Sequence, residues 1–388
     1  MAATLAPQHR LESVDWLRGF VMVLMTLDHV RDYFAVSGLN PMTDPAIPVP
    51  LFITRWTTHI CAPTFVLLAG VSAGLIAKRK TRTALSLYLL TRGVWLIFLE
   101  ATVITFAWKF HFSNSPAVIL QVIWALGVGM ILLAGLVYLP RSVVLGWGII
   151  IVAGGNLLDG LLPVSSYPNA DPLWLGIHRQ IMWIPAGIQL DVYYPVLAWS
   201  GLMACGYGLA EVFSWKAEHR QRFLLGLGGG LLVLFVLLRG LNLYGDPNPW
   251  QAGNGWKHAM ISFLNLEKYP PSLLFLAATL GLVLPLLALK ERCRSPLHHA
   301  IVTVGRVPLF FYVVHLYVVH LLAMIAGVLQ GFPARAWLVD IVDKPEGYGF
   351  GLPVIYLVWI GVVISLYPAC HWFAGVKAQR KAWWLSYL

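Results

Sequence analysis

The chain has 388 residues, of which 59% are hydrophobic and only 11% charged, with 27 Lys+Arg against 17 Asp+Glu and a net charge of +10. Soluble domains carry about 25% charged residues, so this composition excludes an ordinary soluble enzyme, a disordered chain and a nucleic-acid binder. The positive excess instead suits the cytoplasmic loops of a membrane protein. A spanning helix needs about 20 mostly apolar residues. Ten segments meet that description: 15–36, 51–77, 84–108, 116–139, 142–162, 193–215, 223–243, 271–289, 307–329 and 351–373. The weakest is 142–162, which contains Gly146, Gly148, Gly154, Gly155 and Asp159. The expected fold is all-α, a single membrane-embedded domain over 1–388 with about ten transmembrane helices.

Lys and Arg concentrate on the cytoplasmic side of membrane proteins. With the N-terminus inside, the cytoplasmic ends hold Arg10, Lys78, Arg79, Lys80, Arg82, Arg141, Lys216, Arg220, Arg222, Lys290, Arg292, Arg294, Arg306, Lys377, Arg380 and Lys381. The external loops hold Lys109, Arg179, Lys257, Lys268, Arg335 and Lys344. Both termini are therefore expected in the cytoplasm, and the long loops 163–192, 242–270 and 330–350 outside. The stretch Gly19 to Leu27 has the length of a signal-peptide core, and Ala35-Val36-Ser37 the form of a cleavage site. Glu12 and Asp15 spoil the basic region such a signal requires, so the segment reads as a retained first helix. The four cysteines, Cys61, Cys205, Cys293 and Cys370, have no CxxC or metal spacing and read as reduced structural thiols.

Ionisable groups inside a membrane are costly and mark function by default. The first predicted helix holds the densest set. Asp15 and Arg18 are spaced to pair at i,i+3. Arg18 and His29 are eleven residues apart, close to three full turns, so they share a face about 16 Å apart along the axis. Asp28, His29 and Asp32 surround the outer end. An imidazole accepts a proton near neutral pH, and Asp28 or Asp32 is placed to orient it. An arginine one leaflet away suits a phosphate or pyrophosphate. The plainer alternative is an interfacial polar collar.

Further polar groups lie at similar depth: Arg55 and His59 at i,i+4 on the second helix, Glu100 late in the third, and His315 and His320 on the ninth. Singly, each is as well explained by an interhelical hydrogen bond. No His pair has HExxH spacing, and no metal is expected. Loop 242–270 mixes Trp250, Gln251, Asn254 and Trp256 with Glu267 and Lys268. That mixture suits a sugar, whose ring faces stack on aromatics and whose hydroxyls need donors and acceptors. An aromatic membrane belt is the alternative. Gln180, Gln189 and Asp191 on loop 163–192 are secondary candidates. The lysine run Lys78–Arg82 reads as topology signal and headgroup contact.

Arg18-Gly19 followed by His29 resembles the RG-x9-H opening of acyltransferase type 3 membrane proteins. Ser13-Val14-Asp15-Trp16-Leu17-Arg18-Gly19 and Pro63-Thr64-Phe65-Val66-Leu67-Leu68-Ala69-Gly70 resemble more specifically the heparan-α-glucosaminide N-acetyltransferase catalytic domain. Gly305-Arg306-Val307-Pro308-Leu309-Phe310-Phe311-Tyr312, leading to His315, resembles the late helix of related bacterial membrane acyltransferases. The resemblance implies transfer of an acetyl group from cytosolic acetyl-CoA across the membrane to an amino sugar or glycan. It implies the inner membrane of a bacterium, with lipid, acyl-CoA and a carbohydrate as partners. It implies Arg18 and Arg306 as acyl-CoA-binding residues, and neither nucleic acid nor metal. A homo-oligomer stays open. In the heparan enzyme the essential histidine follows the first helix, yet no histidine lies here between Val30 and Thr58. The catalytic histidine is then His29 or His59, with His29 preferred. A proton- or solute-coupled transporter is the competing expectation, since the same Asp and His groups suit a relay.

Overall fold

A computed structural model describes residues 12–36, 42, 47–111, 117–161, 176–253, 255–290, 296–338, 344–380, 382, 385 and 387. Arg10, Ser37, Asn254, Arg292, Cys293, Arg294 and Lys381 lie outside them. Each of the ten predicted segments contains a helix. Helix α1 spans Glu12–Phe34, α2 Val49–Thr57 and α3 Cys61–Ile76, the last two joined by a 3-10 turn. Helix α4 spans Arg82–Leu99 and continues through a π-helical turn, Glu100–Ile104, into α5, Thr105–Lys109. Then follow α6 (Val122–Leu136), α7 (Arg141–Gly154), α8 (Leu157–Leu161), α9 (Val196–Leu209), α10 (Ala217–Leu241) and α11 (Trp256–Leu264). The chain finishes with α12 (Leu273–Lys290), α13 (His298–Arg306), α14 (Pro308–Leu329) and α15 (Leu352–Gln379).

Seven helical runs among the described residues are long and apolar enough to cross a membrane. They begin at Val49, Arg82, Val196, Ala217, Leu273, Pro308 and Leu352. The chain is a multi-pass membrane protein. Three predicted spans differ from the expectation of plain apolar helices. Helix α1 has 23 residues but carries Glu12, Asp15, Arg18, Asp28, Arg31 and Asp32. Helix α6 has only 15 residues, because the predicted segment opens as a strand. Helix α7 has 14, ending at the Gly154-Gly155 pair. At 1.5 Å per residue both are shorter than a bilayer core of about 30 Å.

The all-helical expectation also lacked a small sheet. Strand β1 (Ala117–Leu120) runs parallel to β3 (Gln189–Val192), with Ala117 opposite Gln189, and β2 (Ile181–Trp183) flanks β3 antiparallel. This sheet joins two distant loops at one end of the bundle. Exposed apolar residues such as Val94, Leu237, Leu357 and Ile364 face outward from α4, α10 and α15, where lipid replaces water as solvent.

Helix α1 is central, touching α3, α13, α14 and α15. Its closest crossing is with α13. A Cβ on Gly19 would fall on the Ile301 carbonyl, and one on Gly305 would fall on the Asp15 carbonyl. The backbones meet because both residues are glycine, the small-residue contact of membrane helix packing. This crossing brings Arg18-Gly19 together with Gly305-Arg306, so the first and late sequence motifs form one structural feature. Gly70 and Gly206 meet in the same way where α3 crosses α9. Cys61, Cys205 and Cys370 are free thiols.

Candidate active site

His29 lies five residues before Phe34, the last residue of α1; its ring is buried and stacks on His315 of α14, with centroids 5.0 Å apart and planes 6° from parallel. His29 Nδ1 is 2.7 Å from His315 Nε2, and His315 Nδ1 is 2.9 Å from the Phe311 carbonyl. A carbonyl only accepts, so His315 Nδ1 carries its hydrogen and Nε2 keeps a lone pair. His29 Nδ1 must then donate to that lone pair. The network thereby assigns the tautomers and leaves His29 Nε2 with a free lone pair. Among the described residues nothing bonds to it. Trp108 and Tyr312 hold the His29 ring edge-on, at centroid distances of 5.2 and 6.1 Å.

Neither neighbouring carboxylate orients His29, which corrects the sequence expectation for Asp28 and Asp32. Asp28 accepts from Arg55 Nη1 through both oxygens, at 2.8 and 2.6 Å. Its Oδ1 also meets Arg31 Nη2 at 2.9 Å and Thr58 Oγ1 at 2.8 Å. Asp32 pairs with Arg31. The two carboxylates therefore neutralise buried arginines, and an imidazole, His315, does the orienting. Successive residues on a helix point about 100° apart, which turns Asp28 toward α2 while His29 faces α14.

Two cavities flank this cluster. The outer one, about 1020 Å³, lies where α1 ends, and Asp28, His29, Asp32, Arg55, His59 and Trp108 contribute to its wall. Opposite them stand Asn248, Asn265, Glu267, Lys268 and Tyr269 from loop 242–270, with Gln180, Gln121 and Lys344. The inner one, about 490 Å³, lies where α1 begins. Met22, Met25, Phe65, Leu96, Ile123 and Met130 give it apolar sides, while Arg18, Arg92, Arg306 and Lys377 supply four cations. The two cavities share no lining residue. Met25 faces the inner one and His29 the outer, a single helical turn or about 6 Å further along. Tyr312, against His29, lines the inner cavity.

Arg18 is held by Asp15 at 3.1 Å and by Ser72 at 2.9 Å, while Arg306 is exposed. His59 is buried against Phe275, and its Nδ1 has no partner among the described residues. Five predicted site residues line neither cavity directly: Glu100, His315, His320, Trp250 and Trp256. Glu100 is fully buried in the π turn, where one oxygen accepts the Trp124 N–H at 2.8 Å. His320 is wedged between the Ala107 and Trp337 carbonyls at 2.8 and 2.9 Å and stacks on Phe110. It fastens loops. Trp250 packs on Phe263, and Trp256 is exposed away from the cavity, so loop 242–270 presents amides, Glu267 and Lys268 instead of tryptophans.

That loop is pinned by Arg239, a buried charge at the end of α10. It donates to the carbonyls of Asn248, Ser262, Phe263 and Asn265 at 2.7 to 3.0 Å and meets Asp246 at 3.6 Å. Burial raises Glu267 and Asp246 above the usual carboxylate range. Lys344 donates to the Asp32 and Ala35 carbonyls at 2.7 and 2.8 Å, closing the end of α1. Burial pulls its ammonium down to about 8, with Asp32 opposing. Arg92, Lys377 and Lys344 belong to no motif. Arg92 had one readable signal, a charge within an otherwise apolar run.

The family model described as heparan-alpha-glucosaminide N-acetyltransferase, catalytic, matches residues 10–240. The match covers His29, Asp28, Arg55, His59 and Arg18, whereas His315 and Arg306 lie beyond it. Among curated proteins no relative matches the chain.

Proposed function

The chain belongs to the heparan-α-glucosaminide N-acetyltransferase catalytic family, and on that footing we propose that it transfers an acetyl group from cytosolic acetyl-CoA to an amino sugar on the far side of a bacterial inner membrane. One observation carries this reading: a polar outer cavity and a cationic, apolar-walled inner cavity approach each other at the His29–His315 pair. Arg18, Arg92, Arg306 and Lys377 suit the phosphates of CoA, since Arg and Lys bind phosphate by charge-assisted hydrogen bonds. The apolar walls suit the pantetheine arm. Asn248, Asn265, Glu267 and Lys268 suit the hydroxyls and amine of a sugar.

In this reading the acceptor amine attacks the thioester carbonyl carbon. His29 Nε2 takes the amine proton as the N–C bond forms. The tetrahedral intermediate collapses, the C–S bond breaks, and CoA thiolate leaves and is reprotonated from the His29 imidazolium. The products are an N-acetyl sugar and CoA thiol. His315 positions the base, holding the His29 ring by Nδ1 as a carboxylate does in other general-base pairs. Termini in the cytoplasm follow, because the inner cavity must open there.

The test is incubation of purified protein with labelled acetyl-CoA and either glucosamine or a mixed glycan pool. Transfer by the wild type, lost in His29→Ala and kept in Lys257→Ala on the surface, is the expected result. Absence of acetyl-CoA binding sinks the reading and returns the transporter to the front.

A further inference from the structure

Acyl transfer concentrates negative charge on the thioester oxygen, and a donor aimed there is commonly the largest single contribution to the rate. His29 and Tyr312 both lie inside helices, α1 and α14, whose N–H groups at those positions are bonded within the helix, so at the contact of these two helices a donor comes from a side chain. We infer that the Tyr312 hydroxyl is the oxyanion donor for the thioester carbonyl, an assignment that rests on the acetyltransferase reading.

Four observations select it. The Tyr312 side chain is buried, and among the described residues its hydroxyl has no hydrogen-bond partner. A buried hydroxyl left unpaired costs free energy, so its retention calls for a ligand that completes it. Tyr312 lines the inner cavity, on the side of the cations that would hold CoA. Its ring meets both His29 and His315, at centroid distances of 6.1 and 5.6 Å and interplanar angles of 73° and 69°. The base and the donor are therefore neighbouring rings that line opposite cavities.

The other unpartnered donors nearby do not share this placement. Trp108 Nε1, Arg31 Nη1 and His59 Nδ1 are also buried without a partner among the described residues, and the Trp108 ring also meets His29, but all three residues line the outer cavity, where the acceptor belongs. Tyr348 lies against Trp337 and lines neither cavity. Tyr312 sits one helical turn before His315 on α14, so a single rigid helix fixes both the donor and the residue that orients the base. No proton changes owner at Tyr312. Its O–H points at the carbonyl oxygen, shortens its hydrogen bond as that oxygen turns anionic, and relaxes when the C–S bond breaks.

The experiment compares wild type, Tyr312→Phe and protein carrying difluorotyrosine at position 312, all in detergent with labelled acetyl-CoA and glucosamine. Tyr312→Phe is expected to lower kcat by about 10²–10³-fold with the acetyl-CoA Kd within about threefold of wild type, the pattern of an interaction made only in the transition state. Difluorotyrosine keeps the shape and makes the phenol a stronger donor, so its kcat should equal or exceed wild type while that phenol stays protonated. An active wild type with an equally active Tyr312→Phe overturns the assignment alone. If Tyr312→Phe does not fold, the difluoro protein decides: a kcat that follows phenol acidity across pH supports the assignment, and one that ignores it overturns it. A wild type that binds acetyl-CoA but transfers to no acceptor overturns the acetyltransferase reading and this assignment with it.

Discussion

His29 and Asp28 are adjacent in sequence and opposite in role, and the difference is one of partners. Asp28 holds Arg55 and Arg31 in a buried cluster. Removing one partner of a buried ion pair strands the other and costs about 3–5 kcal/mol, so Asp28→Ala should lower the thermal midpoint of the purified protein markedly and abolish activity only as a consequence. A variant of unchanged thermal stability would assign Asp28 to chemistry instead. His315→Leu should do the reverse. It removes the partner of His29 Nδ1, and transfer should fall by about 10²-fold or more while acetyl-CoA binding, measured by equilibrium dialysis, holds. The sequence made His29 legible through its spacing from Arg18. The carboxylate partner it suggested was wrong because proximity along a helix does not fix which face a side chain shares, and because no local pattern shows that α14 carries His315 to within 2.7 Å.

At the scale of elements, the site depends on α1 meeting α13 through Gly19 and Gly305. Gly19→Val would place a branched Cβ where the Ile301 carbonyl now lies, so the helices must part. Expected outcomes are a loss of folded protein or, where folding survives, a weakened acetyl-CoA affinity, since Arg18 and Arg306 flank that contact. Wild-type affinity in a folded Gly19→Val protein would show that the crossing does not set the cation positions. The apolar runs announced nearly every helix, because a bilayer demands long apolar segments. They could not announce that segment 116–139 starts as a strand. Val118, Ile119 and Leu120 are as apolar as a helix end, and only the pairing with β3 decides between the two.

Across the whole molecule, the outer cavity is built from loops tied down by buried charge. Arg239→Met should leave the membrane helices folded but free loop 242–270, visible as faster hydrogen exchange at residues 246–265 and a raised KM for the acceptor with little change for acetyl-CoA. Unchanged exchange there would remove Arg239 from this role. Lys344 gives the molecule a pH dependence of known sign. Its folded value of about 8 lies below the ordinary lysine value of 10.5, so between those limits the unfolded chain binds more protons than the native one, and stability rises with pH. The thermal midpoint of wild type relative to Lys344→Met should therefore climb from pH 8 toward 10.5, and a flat difference would exclude the linkage. Neither tie has a sequence signature. Arg239 reads in sequence as a lone charge in the last turn of an apolar helix, and its carbonyl partners become its own only when the loop folds back.

The wall between the cavities has a consequence for the membrane that holds it. A single turn of α1, from Met25 to His29, with rings from α14 and α5 against it, separates the inner cavity from the outer one. Such a partition is about 6 Å deep, and among the described residues no side chain lines both cavities. On the proposed reaction, a cell would pass an acetyl group through this wall without leaking ions or dissipating its proton gradient. Vesicles containing the protein should hold a pH step as long as empty ones, and replacing Trp108 with glycine should shorten that time.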